Sequence, residues 1–559
     1  VKRVRSIAVS MVMGCSLTLG QVPAAVADPS ETPAPSTTEP AAPATPGSSV
    51  SSTPEPGARS TFDQAAPSTP DPAVPATSAP AAPSAADPTA PPAAAPTPPA
   101  AQSVPGPSAF QKWIDDHIPA PSSVLPRTGS AAAAADGTPD GLWKAIQSSP
   151  TGDPFFDVAP ANLAQYAPGD IIQTRDVTWP AVPMVFLTVL TPVQHAVQLK
   201  FRTTNSAGAP SFGTATLLLP FNKWTGPGSR PVLLNAPPIN ALNRRCTPGY
   251  VFSHGYDITA GNGNDFVPSP TMWAASQNYA VVIPDHEGPL MSYAEPTVAG
   301  HIMLDTVRAV RHLMPDQFGE SRFAMTGYSG GAIASYAASM LSSEYAPELS
   351  PYLVGAAMGG LPVDYESFAK TFDGTYASGL MLTVTLALAR EHPEILGRMN
   401  HFAQWAAISP LKDVCSSTMA DIGVFVPYAA LANMRDPLHT EFADMLFRRL
   451  SLKGRKASMP IYVYNGLHDP WMPVANAETF FGEQCALGVQ ATKSIVGGEH
   501  ILGYFNGFFG STHWLGERLS GAPAATNCEV APQSNAVPQQ SNSSDPTSSA
   551  PRPETSPGR

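Results

Sequence analysis

A mostly parallel α/β sheet flanked by helices, with a helical insertion near its end, is the fold class that this sequence predicts. Three observations predict it. Short apolar runs of strand length recur with helix-length stretches between them, and strand, crossover helix, strand is the signature of parallel pairing. From about Pro362 to Met459 that rhythm stops and only helical patterns remain. Finally, 25 of the 64 prolines of the 559 residues crowd between Pro29 and Pro126, so a chain that is 43% hydrophobic must concentrate its core further on.

Val197–Arg202 and Thr214–Leu219 read as a β-hairpin. Pro231–Asn235, Ala280–Pro284, Arg322–Thr326, Leu353–Met358 and Pro460–Tyr464 are unbroken apolar runs of the kind buried on both faces of a parallel sheet. Glu295–Met314 and Gly330–Leu341 read as helices. Within the insertion, 362–459, Tyr376–Arg390, Leu396–Ala407 and Thr440–Leu452 carry helical patterns between the last two of those strands. The apolar stretch Leu380–Val384 is too short to span a ~30 Å hydrocarbon layer. It reads as a buried helix of the insertion, with a wall of an acyl-chain channel as the alternative.

The ends of the chain differ in character. Lys2, Arg3 and Arg5, the apolar stretch Ile7–Leu19 and the small-residue site Ala25-Val26-Ala27 mark residues 1–27 as a secretory signal peptide, with no transmembrane segment left after cleavage. Met13-Gly14-Cys15 resembles a lipoprotein box only loosely, because the apolar stretch runs past it. Residues 28–137 are rich in Pro, Ala, Ser and Thr. They cannot bury enough surface to offset ordering entropy, and read as a disordered linker. A short helical turn at Phe110–Ile118 is expected to dock on the domain. Leu125-Pro126-Arg127-Thr128-Gly129 spells a wall-sorting pentapeptide but lacks the hydrophobic tail that would make one work. The folded unit is 138–529, and 530–559 is a second disordered tail. A net charge of −12, with no basic face, excludes a nucleic-acid partner.

Of the five cysteines, Cys15 leaves with the signal peptide. Cys246, Cys415, Cys485 and Cys528 remain, an even number that reads as two disulfides of open connectivity in an exported chain. None stands in a C-x-x-C pair, so no metal site is expected.

Gly327-Tyr328-Ser329-Gly330-Gly331 is a G-x-S-x-G. The letters alone are weak evidence. Their setting is specific: a strand ends at Thr326, a helix begins at Gly330, and Ser329 stands on the turn as a nucleophile elbow requires. A serine hydroxyl needs an imidazole to take its proton, and the imidazole needs a carboxylate to orient it. Chain order in this arrangement runs Ser, acid, His. Asp469, just past strand Pro460–Tyr464, is placed to be the acid. His500, in the loop after Val489–Val496, is placed to be the base. His513, beside Trp514 and Leu515 on the last helix, reads as a packing residue, while His468, His286 and His301 read as structural or rim residues. The Gly330 amide is one oxyanion donor. The second is sought in Ala236–Arg245, with Asn240 and Asn243 as candidates.

These motifs resemble the secretory lipase family of α/β-hydrolases, which includes yeast lipase A enzymes and actinobacterial exported lipases. The resemblance is carried by Asp153-Pro154-Phe155-Phe156, Pro168-Gly169-Asp170, Asp285-His286-Glu287-Gly288-Pro289, Leu304–Ala309, the elbow, Tyr464-Asn465-Gly466 with Asp469, and His500. The closing Trp514-Leu515 to Gly521-Ala522-Pro523 with Cys528 completes it. It implies Ser329, Asp469 and His500 as the triad, a helical lid, and activity on acyl esters of glycerol. It also implies the pairs Cys246–Cys415 and Cys485–Cys528. One departure is Arg244, where the family often has an acidic residue two before the first cysteine.

The function expected is that of a secreted serine hydrolase of acylglycerols or other lipid esters, a triacylglycerol lipase or carboxylesterase. It needs no cofactor and touches a lipid interface transiently; the location is extracellular, with envelope association as a variant. An acyltransferase to a sugar or cell-wall alcohol uses the same triad and is the first alternative. An inactive hydrolase domain serving as an envelope-binding module is the second.

Overall fold

The computed structural model describes residues 106–121, 138–255, 268–415 and 423–529. The signal peptide, most of the linker, the Leu125–Gly129 motif and the tail 530–559 lie outside them.

Nine strands form one sheet: β1 (Ile171–Asp176), β2 (Val193–Thr204), β3 (Pro210–Pro220), β4 (Val232–Ala236), β5 (Ala280–Pro284), β6 (Phe323–Tyr328), β7 (Leu353–Gly359), β8 (Ile461–Gly466) and β9 (Ala491–Val496). Their spatial order is β1-β2-β3-β5-β4-β6-β7-β8-β9. The expected hairpin is β2–β3. It is longer than its apolar core suggests, and β1, too polar to stand out as a strand, pairs antiparallel along its outer edge. From β5 to β9 the pairing is parallel. β4, β5, β6 and β8 are buried at every position, which is why they read as continuous apolar runs rather than alternating ones.

The principal helices are α1 (Ala109–His117), α2 (Pro296–Leu313), α3 (Gly330–Tyr345), α4 (Ser378–Glu391), α5 (His401–Ile408), α6 (Glu441–Ser451), α7 (Val474–Ala486) and α8 (His500–Ser520). α2 and α3 lie against each other on one face of the sheet. A Cβ on Gly300 of α2 would come within 2.9 Å of the Ala337 backbone of α3, so only glycine permits that approach. α8 covers the other face with Tyr504, Phe508, Trp514, Leu515 and Leu519. Both faces therefore have an apolar core, and the parallel strands deliver their carboxyl ends to one edge.

Between β7 and β8 the chain leaves the sheet and builds the helical cap with α4, α5 and α6, close to the expected spans. The stretch Leu380–Val384 lies in α4, inside the cap. The cap is fastened to the body by the disulfide Cys246–Cys415 and by Arg390, whose fully buried guanidinium donates to the carbonyls of Ile146, Leu242, Leu290, Met291 and Lys412. Cys485 bonds Cys528, tying the end of α7 to the last described residues. Both pairs are those that the family resemblance implied.

The helix expected at Phe110–Ile118 is α1. A reciprocal capping box between Ser108 and Gln111 starts it. It docks on the cap: Gln111 donates to the carbonyls of Ala429 and Met434, Asp115 accepts the His401 amide, and Trp405 donates to the Pro119 carbonyl. Residues 106–121 thus belong with the folded unit, although composition alone assigned them to the linker. No described helix is long and apolar enough to cross a membrane.

Candidate active site

Ser329 links β6 to α3 at φ 53° and ψ −121°, a region L-residues rarely occupy. The backbone can reach it because the positions two before and two after it lack side chains. A Cβ on Gly327 would fall 2.1 Å from the Gly331 carbonyl oxygen, and one on Gly331 1.9 Å from that of Ala236. The strain lifts the hydroxyl above the sheet edge, and the Ser329 amide donates to the Gly359 carbonyl at 2.9 Å. Gly330, at the first position of α3, leaves its N–H without an intrahelical acceptor.

Asp469 lies three residues past β8 and its carboxyl is wholly buried. One oxygen accepts the amides of Trp471 and Met472 at 2.9 and 2.8 Å, which fixes the plane of the group. The other stands 2.6 Å from His500 Nδ1. That contact assigns the Nδ1 proton to the carboxylate side and leaves Nε2 free to accept. His500 is the first residue of α8, not a loop residue as the sequence suggested; the Glu499 side chain caps that helix and starts it one residue earlier. Tyr328, adjacent to Ser329, donates its hydroxyl to the His500 carbonyl at 2.5 Å, with the two rings 5.1 Å apart. Gly360, one residue beyond the carbonyl that anchors Ser329, has room for His500 only because it has no Cβ. Serine and imidazole therefore flank the same short segment after β7. Among the described residues the Ser329 hydroxyl itself has no hydrogen-bond partner. Such contacts often tighten only once substrate is bound.

The two asparagines of the loop after β4 separate clearly. Asn243 is turned away from the serine: it caps the turn Arg244–Cys246 by accepting the Arg245 amide, and its amide group donates to the Asp413 carbonyl at the base of the cap. The expectation that Asn243 supplies the second oxyanion donor is therefore corrected. Asparagine is among the strongest N-caps, and that propensity decides its place here. Asn240 instead adopts φ 44°, which asparagine tolerates better than most residues. Its side-chain oxygen Oδ1 lies 1.8 Å from where a Gly330 Cβ would be and has no partner among the described residues; the same amide turned over about its terminal bond presents Nδ2 there instead. Arg244 bonds the Pro289 carbonyl and faces Asp157 at 3.5 Å, so the family departure at this position is a structural ion pair.

The other histidines divide as well. His286 and His301 are buried and bond the carbonyls of Pro237 and Thr204. Burial pushes the His286 imidazole down to about 4. His468 is exposed. His513 is exposed too, 3.6 Å from Glu517, and is not the packing residue expected from its apolar neighbours. Within the cap lies a cavity of about 390 Å³, walled by Leu242, Val384, Phe402, Phe442, Leu446 and Phe447 among others; Leu242 belongs to the loop after β4, while Ser329 and His500 do not line it. Sequence periodicity marked these residues as apolar but could not show that they leave a space.

A mostly parallel sheet with a strand–Ser–helix elbow, an acid after a later strand and a histidine beyond it defines an α/β-hydrolase. Residues 271–527 match the model of the family described as Secretory lipase. Over that span the chain is similar to the secretory lipase family, and the comparisons support a carboxylic-ester hydrolase of the triacylglycerol-lipase type. It is 28% identical to Lipase 10 of Candida albicans, over 68% of this chain and 83% of that protein. It is 27% identical to Lipase A of Moesziomyces aphidis, over 73% and 88%. A protein of Mycobacterium tuberculosis described as a probable inactive lipase is 26% identical over 67% and 83%. Among solved structures, Candida antarctica lipase A superposes with a TM-score of 0.60 at 24% identity, covering 67% of this chain and 87% of that one, a likeness of fold.

Proposed function

We propose that this protein is an exported lipase that cleaves lipid esters, acylglycerols foremost, through Ser329, His500 and Asp469. His500 Nε2 takes the Ser329 proton as Oγ bonds the ester carbonyl carbon. The carbonyl oxygen becomes an oxyanion facing the Gly330 N–H and, with the Asn240 amide turned over, its Nδ2–H. Collapse breaks the ester C–O bond, the departing alkoxide receives the proton from His500, and the acyl group stays on Ser329. Water, deprotonated by the same imidazole, then releases the acid. Asp469 holds the imidazole in place and steadies the imidazolium.

The observation that carries this reading is the 2.6 Å Asp469–His500 contact beside a serine in a strained turn. The apolar cavity of the cap supports a substrate with a long acyl chain, since about 390 Å³ falls in the range of ligand pockets. Two disulfides fit a protein that works in an oxidising exterior. Replacing Ser329→Ala should lower kcat on p-nitrophenyl esters by roughly 10⁴–10⁶ while leaving the melting transition in place. Retained turnover would overturn the assignment. Products formed with glycerol or trehalose competing against water would reveal acyl transfer if it occurs.

A further inference from the structure

The loop that brings Asn240 beside Gly330, Pro237–Leu242, has no secondary structure of its own, yet it is held at several backbone atoms. His286 Nε2 donates to the Pro237 carbonyl at 2.9 Å. The Ala241 amide donates to Glu287 Oε1 at 3.3 Å, and the Asn240 amide faces the same carboxyl. The Leu242 amide donates to the Val414 carbonyl, and the Leu242 carbonyl accepts from Arg390 Nη1 at 2.9 Å. Arg390 also holds the carbonyls of Leu290 and Met291, in the turn that follows Glu287. The two loops are therefore clamped by one acceptor and one donor, both buried in the interior.

We infer that Glu287, with Arg390 opposite it, is a positioning residue for catalysis: its carboxyl receives the N–H groups of Asn240 and Ala241 and so holds Asn240 in the left-handed turn that points its side chain at the oxyanion. The inference rests on the proposed role of Ser329 and Asn240. A group needed only for packing would be cheaper as an apolar residue, because a buried carboxyl that is poorly paired costs stability. Glu287 is 2% exposed, and its second oxygen has no partner among the described residues. Burial, with Asp285 alongside, drives its pKa well above the ordinary range, while Arg390 and the two amides oppose that rise only in part. His286 and Tyr293 complete the surroundings. Burial opposes its ionisation, so an uncharged isostere that keeps the acceptor oxygen should replace it and an apolar residue should not.

The experiment compares Glu287→Gln and Glu287→Leu in the full-length enzyme. Active sites are counted by the p-nitrophenol burst, and kcat, KM and the Ki of an alkylboronic acid, which places an oxygen in the oxyanion position, are measured per active site. The Leu variant should lose about 10–100-fold in kcat, with boronate affinity falling in parallel and KM within twofold. The Gln variant should return to within about fivefold of wild type. A Leu variant with unaltered kcat, a loss confined to KM, or unaltered boronate affinity would overturn the inference. If the Leu variant does not melt cooperatively, Glu287→Asp, which withdraws the acceptor by one methylene, takes its place with the same readouts. A wild-type enzyme with neither burst nor boronate inhibition would bring down the Ser329 reading and this inference with it. Normal wild-type titration beside an unaffected variant would bring down the inference alone.

Discussion

Two asparagines three positions apart show how little separates a proposed oxyanion donor from a residue that only caps a turn. Asn240 lies at φ 44° against Gly330, while Asn243 spends both ends of its amide on a turn and on the Asp413 carbonyl. Replacing Asn240→Ala should therefore cost about 10–10³ in kcat, with KM little changed, as removal of an oxyanion donor does elsewhere. Asn243→Ala should cost about 1 kcal/mol of stability from the lost cap and leave kcat within threefold. Steady-state kinetics and thermal melts of the two variants check both halves. Equal kinetic loss in the two would show that the donor has been misassigned. The elbow at Ser329 and the place of Asp469 just past an apolar run were legible in the sequence because each stands at a landmark, whereas His500 was expected in a loop and begins a helix instead. The choice between Asn240 and Asn243 was not legible, since it depends on one backbone torsion. Glu287 was hidden for a different reason. Its role is set by what the β4 loop does next to it, and that loop is distant in sequence.

At the scale of elements, the central parallel strands β4 to β8 could be read nearly to the residue because burial on both faces makes them continuous apolar runs, whereas β9, only partly buried, did not stand out as one. β1 escaped because an edge strand with exposed Gln173 and Thr174 lacks that signal. The cap helices were legible by periodicity, but the cavity between them was not, because packing leaves no trace in a pattern of apolar residues. The cavity makes a prediction that belongs to the cap. Val384→Phe, on α4 at the cavity wall, should shorten the space available to an acyl chain. The rate maximum across an ester series from acetate to oleate should move to shorter chains, with kcat on the shortest esters within about twofold, since the reacting groups are untouched. An unmoved maximum would mean that the chain is bound elsewhere. α1 illustrates the opposite limit of sequence reading: its capping box is local and visible, whereas its docking on α5 depends on residues almost three hundred positions away.

For the whole molecule, the adjacent pair Asp285 and His286 sets a pH signature. Burial raises the Asp285 carboxyl to about 7. In the unfolded chain that group ionises near ~3.9, so its contribution is whole below that pH and drains away as pH rises to about 7. Burial lowers His286 to about 4, so its contribution is whole above ~6.5 and drains away as pH falls through about 4. Over the shared window the two slopes oppose each other and the fold gains tolerance to acid. Asp285→Asn should expose the histidine slope, a loss of about 3 kcal/mol on going from pH 7 to 4. His286→Gln should expose the opposite one, a loss of about 4 kcal/mol on going from pH 4 to 7. Urea titrations at several pH values check this, and parallel stability profiles in wild type and both variants would refute it. The covalent link between Cys246 and Cys415 acts at this scale too, because it joins the foot of the Asn240 turn to the cap across 169 residues. Ambient thiol chemistry thereby enters the enzyme's working conditions. A glutathione-rich cytosol would hold the newly made chain without that brace, and on the exported reading full competence arrives only after passage into surroundings that oxidise it, which spares the producing cell's own lipids.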